Sequence, residues 1–138
     1  MADKPTRGER NNNPGNIRHG DQWFGLSDAQ TDSAFCTFDR VELGIRAICK
    51  IMLSYRNKGF DTVCEIVQRW APPSENDTGA YVASVARRMN VDPDTHIDVR
   101  RYAEMYPLVD AIIRHENGRN IYPRSTVDQG LALAGIAP

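Results

Sequence analysis

Cysteine is scarce in this chain. Cys36, Cys49 and Cys64 are the only three, an odd number with no Cys-x-x-Cys pair. That argues against a disulfide framework or a zinc knuckle. Cys49 and Cys64 fall on apolar helical stripes and read as small core residues. Cys36, between Phe35 and Phe38, has no histidine that the sequence places beside it, so no nucleophilic role is assigned to it. Histidine is scarce too: His19, His96 and His115. None stands three or four residues from another ligand in a metal motif, and His115-Glu116 is not the His-Glu-x-x-His of zinc proteases. No metal and no cofactor is expected. Excess charge of one sign is missing as well, with a net charge of -1, so no basic field invites nucleic acid. There is no apolar run of about 18 residues to span a membrane. The polar start, Met1 to Gly8, lacks the apolar core of a signal peptide. The expectation is synthesis in a host cytoplasm and delivery by another route. A Gly-x-Ser-x-Gly elbow and a phosphate loop are also absent.

What is present suits one domain. The 138 residues are 41% hydrophobic, enough for a single core. Residues 1–138 read as one unit, with residues 1–10 as a flexible arm. Asn11-Asn12-Asn13-Pro14-Gly15-Asn16 is turn chemistry, with Gly15 able to take positive φ. Ile17, Trp23-Phe24 and Phe35 to Phe38 are short β-prone pieces. Residues 16–38 therefore read as a small hairpin or three-stranded flap with an aromatic underside, and the loop Ser27 to Ser33 as mobile. Asp39 is a candidate cap for a helix over about 40–57. A short helix with Val63, Ile66, Val67 and Trp70 inward follows. A stiff Pro72-Pro73 loop leads to a third helix over about 78–90. Its stripe is Tyr81, Val82, Val85, Ala86 and Met89, with Tyr81 half buried. A turn near residues 100–105 precedes a helix with Pro107 in its first turn. Ser125-x-x-Asp128 opens a last helix to about Ala134. The fold class is mainly α with one small β element.

The helix after Pro107 carries the sharpest anomaly. Leu108, Val109, Ile112 and Ile113 repeat at helical spacing, and Glu116 falls on the same stripe one turn later. Gly118 supplies the stop. A carboxylate against an apolar face is costly unless it is paired. The bland reading is a half-exposed helix end or one half of an ion pair with an arginine. The functional one is a general acid facing a cleft, a setting that favours a protonated carboxyl near neutral pH.

Around this acid lie groups suited to sugars. Asn12, Asn13, Asn16, Glu75, Asn76 and Thr78 can hydrogen-bond hydroxyls and N-acetyl groups, and Trp23 and Trp70 offer flat faces to sugar rings. The asparagines can equally be turn formers. Trp70, on a helix stripe, reads first as core. For Trp23 the two readings stand level. A buried Tyr81 hydroxyl needs a partner, and a carboxyl would serve.

These pieces resemble a family. Thr78-Gly79-Ala80-Tyr81-Val82-Ala83-Ser84-Val85 is similar to the Thr-x-x-Tyr-Val-x-x-Val stretch of soluble lytic transglycosylases of the lysozyme superfamily. Ile112-Ile113-Arg114-His115-Glu116-Asn117-Gly118 looks like the helix ending in their catalytic glutamate. Asn13 to Arg18 with Trp23-Phe24-Gly25 resembles their Asn-rich hairpin. Arg7 to Arg18, Trp70 to Asn76 and Arg114 to Gly118 also resemble, over nearly the full length, small phage-encoded virion-associated proteins described as peptidoglycan cleavers.

The resemblance implies a lysozyme-like domain with Glu116 catalytic and Tyr81, Asn16 and Thr78 supporting it. Asn12, Asn13, Trp23, Trp70, Glu75 and Asn76 would then bind substrate. In the family the glutamate helix precedes the hairpin. Here the order is reversed, which implies a circular permutation in which the two ends meet. Glu9, the rival acid, has too little chain before it to build a rigid, apolar surround. The implied reaction is cleavage of the MurNAc-β-1,4-GlcNAc bond, by one-acid transglycosylation or by hydrolysis with a second carboxylate from Asp21, Asp28 or Asp32. A non-catalytic virion or wall-binding protein of the same fold is the alternative. The implied partners are peptidoglycan glycan strands and other virion proteins, with the chain a monomer.

Overall fold

The computed structural model describes residues 4–138. Six helices follow in order: α1 Arg7–Arg10, α2 Val41–Asn57, α3 Val63–Trp70, α4 Thr78–Met89, α5 Tyr102–Asn117 and α6 Arg124–Leu133. The chain is mainly helical, as the periodicity requires. Among the described residues no ladder of strands forms. Residues 16–38 make only the isolated antiparallel bridges Arg18 with Phe35 and Leu26 with Phe38. The expected hairpin or flap is thus an irregular ribbon, pinned by side chains rather than by a regular ladder.

Asparagines organise that ribbon. Asn12 and Asn16 take the positive φ, which their short polar side chains tolerate. Gly15, expected in that role, is instead small because Ile48 and Trp70 press against it. Asn13 is fully buried. Its amide donates to the Ile17 and Cys36 carbonyls and accepts from the Ile17 N–H. The 27–33 loop is also tied down, contrary to expectation. Gln30 bonds Ser27 and both backbone groups of Thr37, and Asp32 accepts from the Ala34 and Phe35 N–H groups and from Arg7.

The expected arm also needs correction over residues 4–10; residues 1–3 lie outside the described residues. Thr6 and Glu9 form a capping box around α1, satisfying donors that a helix start leaves open. Glu9, only 4% exposed in its side chain, pairs with Arg119 at 2.7 Å. The Arg119 guanidinium holds the Glu9 carboxyl below its usual range, as Arg7 holds Asp32. Both carboxyls bind protons more weakly folded than unfolded, so their stabilisation is full above the unfolded value and is lost as pH falls. Glu9→Gln is expected to cost about 1–2 kcal/mol at neutral pH, allowing for the partial exposure of Arg119. It should also flatten the loss of stability below about pH 4.5. Thermal melts between pH 7 and pH 3 check both.

The core forms where α2 packs along α6 and α4 along α5 and α3. Ile45, Ile48 and Met52 of α2 share one core with Ile66, Val85, Leu108, Ile112, Ile113 and Leu131, all fully buried. Three helix starts differ from the sequence reading. Asp39 accepts from the Ser27 hydroxyl instead of capping α2, whose N-cap is Arg40. Asp128 accepts from the Tyr102 hydroxyl, and Pro123 precedes α6. Helix α5 begins at Tyr102, leaving Pro107 inside it. One lost backbone bond there is offset by Met105, which joins the buried stripe a turn earlier. Among the described residues no helix is long and apolar enough to cross a membrane.

Candidate functional site

A groove of about 240 Å³ opens where the ribbon, the end of α3, the 71–77 loop and the end of α5 converge. Glu116 lies in its wall, in the last turn of α5. Gly118, at φ 75°, then turns the chain out of the helix, a conformation glycine adopts without strain.

Two neutral donors hold the Glu116 carboxyl. Asn16 Nδ2 donates to Oε1 at 2.9 Å. The Tyr81 hydroxyl donates to Oε2 at 2.8 Å and accepts from Trp70 Nε1 at 3.0 Å. The packing of α4 on α5 creates this chain, because Tyr81 on the inner stripe of α4 is buried directly against the end of α5. Tyr81 is 1% exposed, more deeply set than its place in the stripe suggested. Burial first, and then the neighbouring carboxylate, push its phenol far above the ordinary range, so it remains a donor. His115 stacks on its ring with centroids 3.7 Å apart. Partial burial lowers the His115 pKa.

Asn117 had no role in the sequence reading, yet it fastens the site. It accepts from the Thr6 hydroxyl at 2.6 Å and donates to the Pro14 carbonyl at 2.8 Å and to the Ile113 carbonyl. The N-terminal segment therefore meets the end of α5 beside Glu116. A polar residue between the acid and the helix-ending glycine was the one available signal.

The remaining candidates divide. Trp70 lines the groove and also packs on the core, so its two readings coexist. Glu75 and Asn76 line the groove from the loop. Asn12 and Asn13 do not; Asn12 bonds the Phe38 carbonyl, and both serve the ribbon rather than a ligand. Trp23 packs half-buried against the core, away from the groove. Thr78 bonds the Ala71 carbonyl at 2.6 Å and anchors the loop without touching Glu116. Asp21, Asp28 and Asp32 are not among the groove residues. Arg18, Phe35 and Tyr55 are, although none of them stood among the candidate site residues. Among the described residues no three His, Cys, Asp or Glu side chains gather as a metal would require.

Chemically, the arrangement is a braced carboxyl at the edge of an open groove. It can exchange a proton with a group bound there, while neutral neighbours fix its orientation.

No family model matches the chain. Protein P5 of Pseudoalteromonas phage PM2 is 35% identical to it over 136 residues, a match spanning 94% of this chain and 82% of that protein.

Proposed function

The chain belongs to the family of this phage PM2 protein, and on that premise we propose that it is a lysozyme-like, circularly permuted enzyme that cleaves the MurNAc-β-1,4-GlcNAc bond of peptidoglycan as a lytic transglycosylase. The observation that carries the reading is the Glu116 carboxyl, held in a groove by Tyr81 and Asn16. The contact of Asn117 with Thr6 and Pro14 supports the permutation, because it seats the N-terminal ribbon where the lysozyme-like order has it follow the glutamate helix.

Protonated Glu116 gives its proton to the bridging oxygen as the C1–O4 bond breaks. The muramic acid N-acetyl group stabilises the positive charge that develops. The Glu116 carboxylate then takes the proton of the same sugar's 6-hydroxyl while O6 bonds C1. The acid is regenerated, no water is consumed, and a 1,6-anhydro end leaves. Hydrolysis would instead need a second carboxylate across the bond. Among the described residues the other carboxylate lining the groove is Glu75, which pairs with Arg18 at 3.2 Å. The Tyr81 brace on Glu116, which matches the lytic transglycosylase motif, favours the one-acid route. Delivery in or by a phage particle fits the family, with peptidoglycan and other virion proteins as partners.

Mass spectrometry of purified peptidoglycan digested by the protein tests the reading. Anhydro-muropeptides are expected. Reducing ends would make the protein a muramidase, and a bound but uncut wall would make it a binding protein. Tyr81→Phe removes the brace on Oε2 and leaves the Trp70 N–H unpaired. The rate of muropeptide release should fall about 10–100-fold, the cost of a misplaced catalytic group, with far-UV circular dichroism unchanged.

A further inference from the structure

The cation on the groove wall has no part in the proton transfer. Arg18 lies on the ribbon, and its guanidinium sits over the Phe35 ring, 5.2 Å from the centroid. On the same ring lies Arg7, at 4.4 Å, itself fixed by two bonds to Asp32. Phe35 also pairs with Arg18 through the backbone bridge. The guanidinium is therefore positioned in advance, which lowers the cost of using it for a ligand. Its ion pair with Glu75 joins the ribbon to the 71–77 loop, with side chains 55% and 44% exposed. Such a pair in water holds weakly. Of the described charged residues lining the groove, Arg18 is the only cation, against Glu75 and Glu116.

We propose that Arg18 is the specificity-determining residue of the groove, binding a carboxylate carried by the glycan in exchange for Glu75. This rests on the reading of the groove as a peptidoglycan site and names the feature of that substrate it selects. An incoming carboxylate replaces one acid by another on Arg18, so the guanidinium is never left unpaired. Two oxygens match its planar fork. Freed from Arg18, Glu75 releases the loop from the ribbon, and the groove widens as the anionic strand enters. A neutral glycan gains neither effect. The carboxylate is either the free lactyl group of a muramic acid without a stem or, where that group is amide-bonded, an acid of the peptide stem.

Calorimetric titration of the full chain carrying Glu116→Gln, which blocks turnover, separates these cases. The ligands are a chito-oligosaccharide, a peptide-free GlcNAc-MurNAc oligomer and a muropeptide. Arg18→Gln is expected to weaken the carboxylate-bearing ligands about tenfold, the loss of one charge-assisted contact, and to leave the chito-oligosaccharide unchanged. An effect on the peptide-free oligomer assigns the free lactyl group; one on the muropeptide, whose lactyl carboxyl is tied up in the stem amide, assigns an acid of the stem. Glu75→Gln, which frees Arg18, should hold or raise the affinity of the acidic ligands. Equal losses on all three ligands, or a loss with Glu75→Gln matching that with Arg18→Gln, would overturn the proposal and leave the peptidoglycan reading standing. Failure of the parent protein to bind any of the three would overturn both.

Discussion

Glu116→Gln is expected to lower the release of muropeptides by at least about a thousandfold, in the range a lost general acid costs. The substitution is nearly isosteric. Its carbonyl oxygen can still accept from Asn16, and its amide can donate to the Tyr81 hydroxyl, which has a second lone pair beyond the one that receives the Trp70 N–H. The fold should therefore survive, with stability within about 1 kcal/mol of the parent as for a replaced neutral hydrogen bond. Glu116→Asp is the sharper companion. It keeps the acid but draws it back by one methylene, away from Tyr81 and Asn16. A displacement of about 1 Å costs on the order of a hundredfold. Activity should thus rank parent, Asp, Gln, measured by quantified muropeptides with melting curves alongside. Full activity in the Gln variant would remove Glu116 from the mechanism.

Gly44→Ala is expected to be the most damaging small change to stability. In the middle of an ordinary helix the exchange would gain about 1 kcal/mol. Here a Cβ would be driven into the Asn12 carbonyl oxygen and would press on Pro14 Cδ. The obstacle is backbone, and the turn that carries it is locked by the buried Asn13, so it cannot yield cheaply. Overpacking of this kind costs up to about 3 kcal/mol or somewhat more, which outweighs the propensity gain and leaves a net loss of about 2 kcal/mol. For a chain of this size the midpoint should fall by roughly 6–10 °C. Activity should fall as well, because the same turn delivers Asn16 to Glu116. Gly79→Ala is the control. Its nearest neighbour would be Asp77 Oδ1 at 3.9 Å, so the midpoint should hold or rise. Scanning calorimetry of both variants decides the sign.

Some misreadings share one cause. Asp39 and Ser125 sit where a helix cap would be expected, and Asn12 and Asn13 where a sugar-binding loop would be expected. Short polar side chains do several jobs with the same atoms, and sequence does not say which partner is near. Asp39 found Ser27, and Asn13 found Cys36, 23 residues away. The loop at 27–33 looked mobile because its composition is polar, whereas Gln30 and Asp32 spend that polarity internally. Pro107 reads as a start because proline suits a helix's first turn, whereas inside α5 its lost bond and clash are offset by the buried Met105.

By itself the sequence determined the helical stripes of this protein, and with them the position of Glu116 at the end of one. Helical periodicity is local: residues three and four apart share a face whatever the rest of the chain does. The motif resemblance, not periodicity, implied that Tyr81 and the asparagine turn belong with that acid. Only the tertiary structure decided which groups touch. Tyr81 reaches Glu116 across 35 residues and Asn16 across 100, Asn117 ties the end of α5 to the N-terminal segment, and Arg18 faces Glu75 over the groove. Those pairings depend on how α4 lies on α5 and how the ribbon lies on α2. That geometry is set by the shape of the whole buried core, which no single segment encodes.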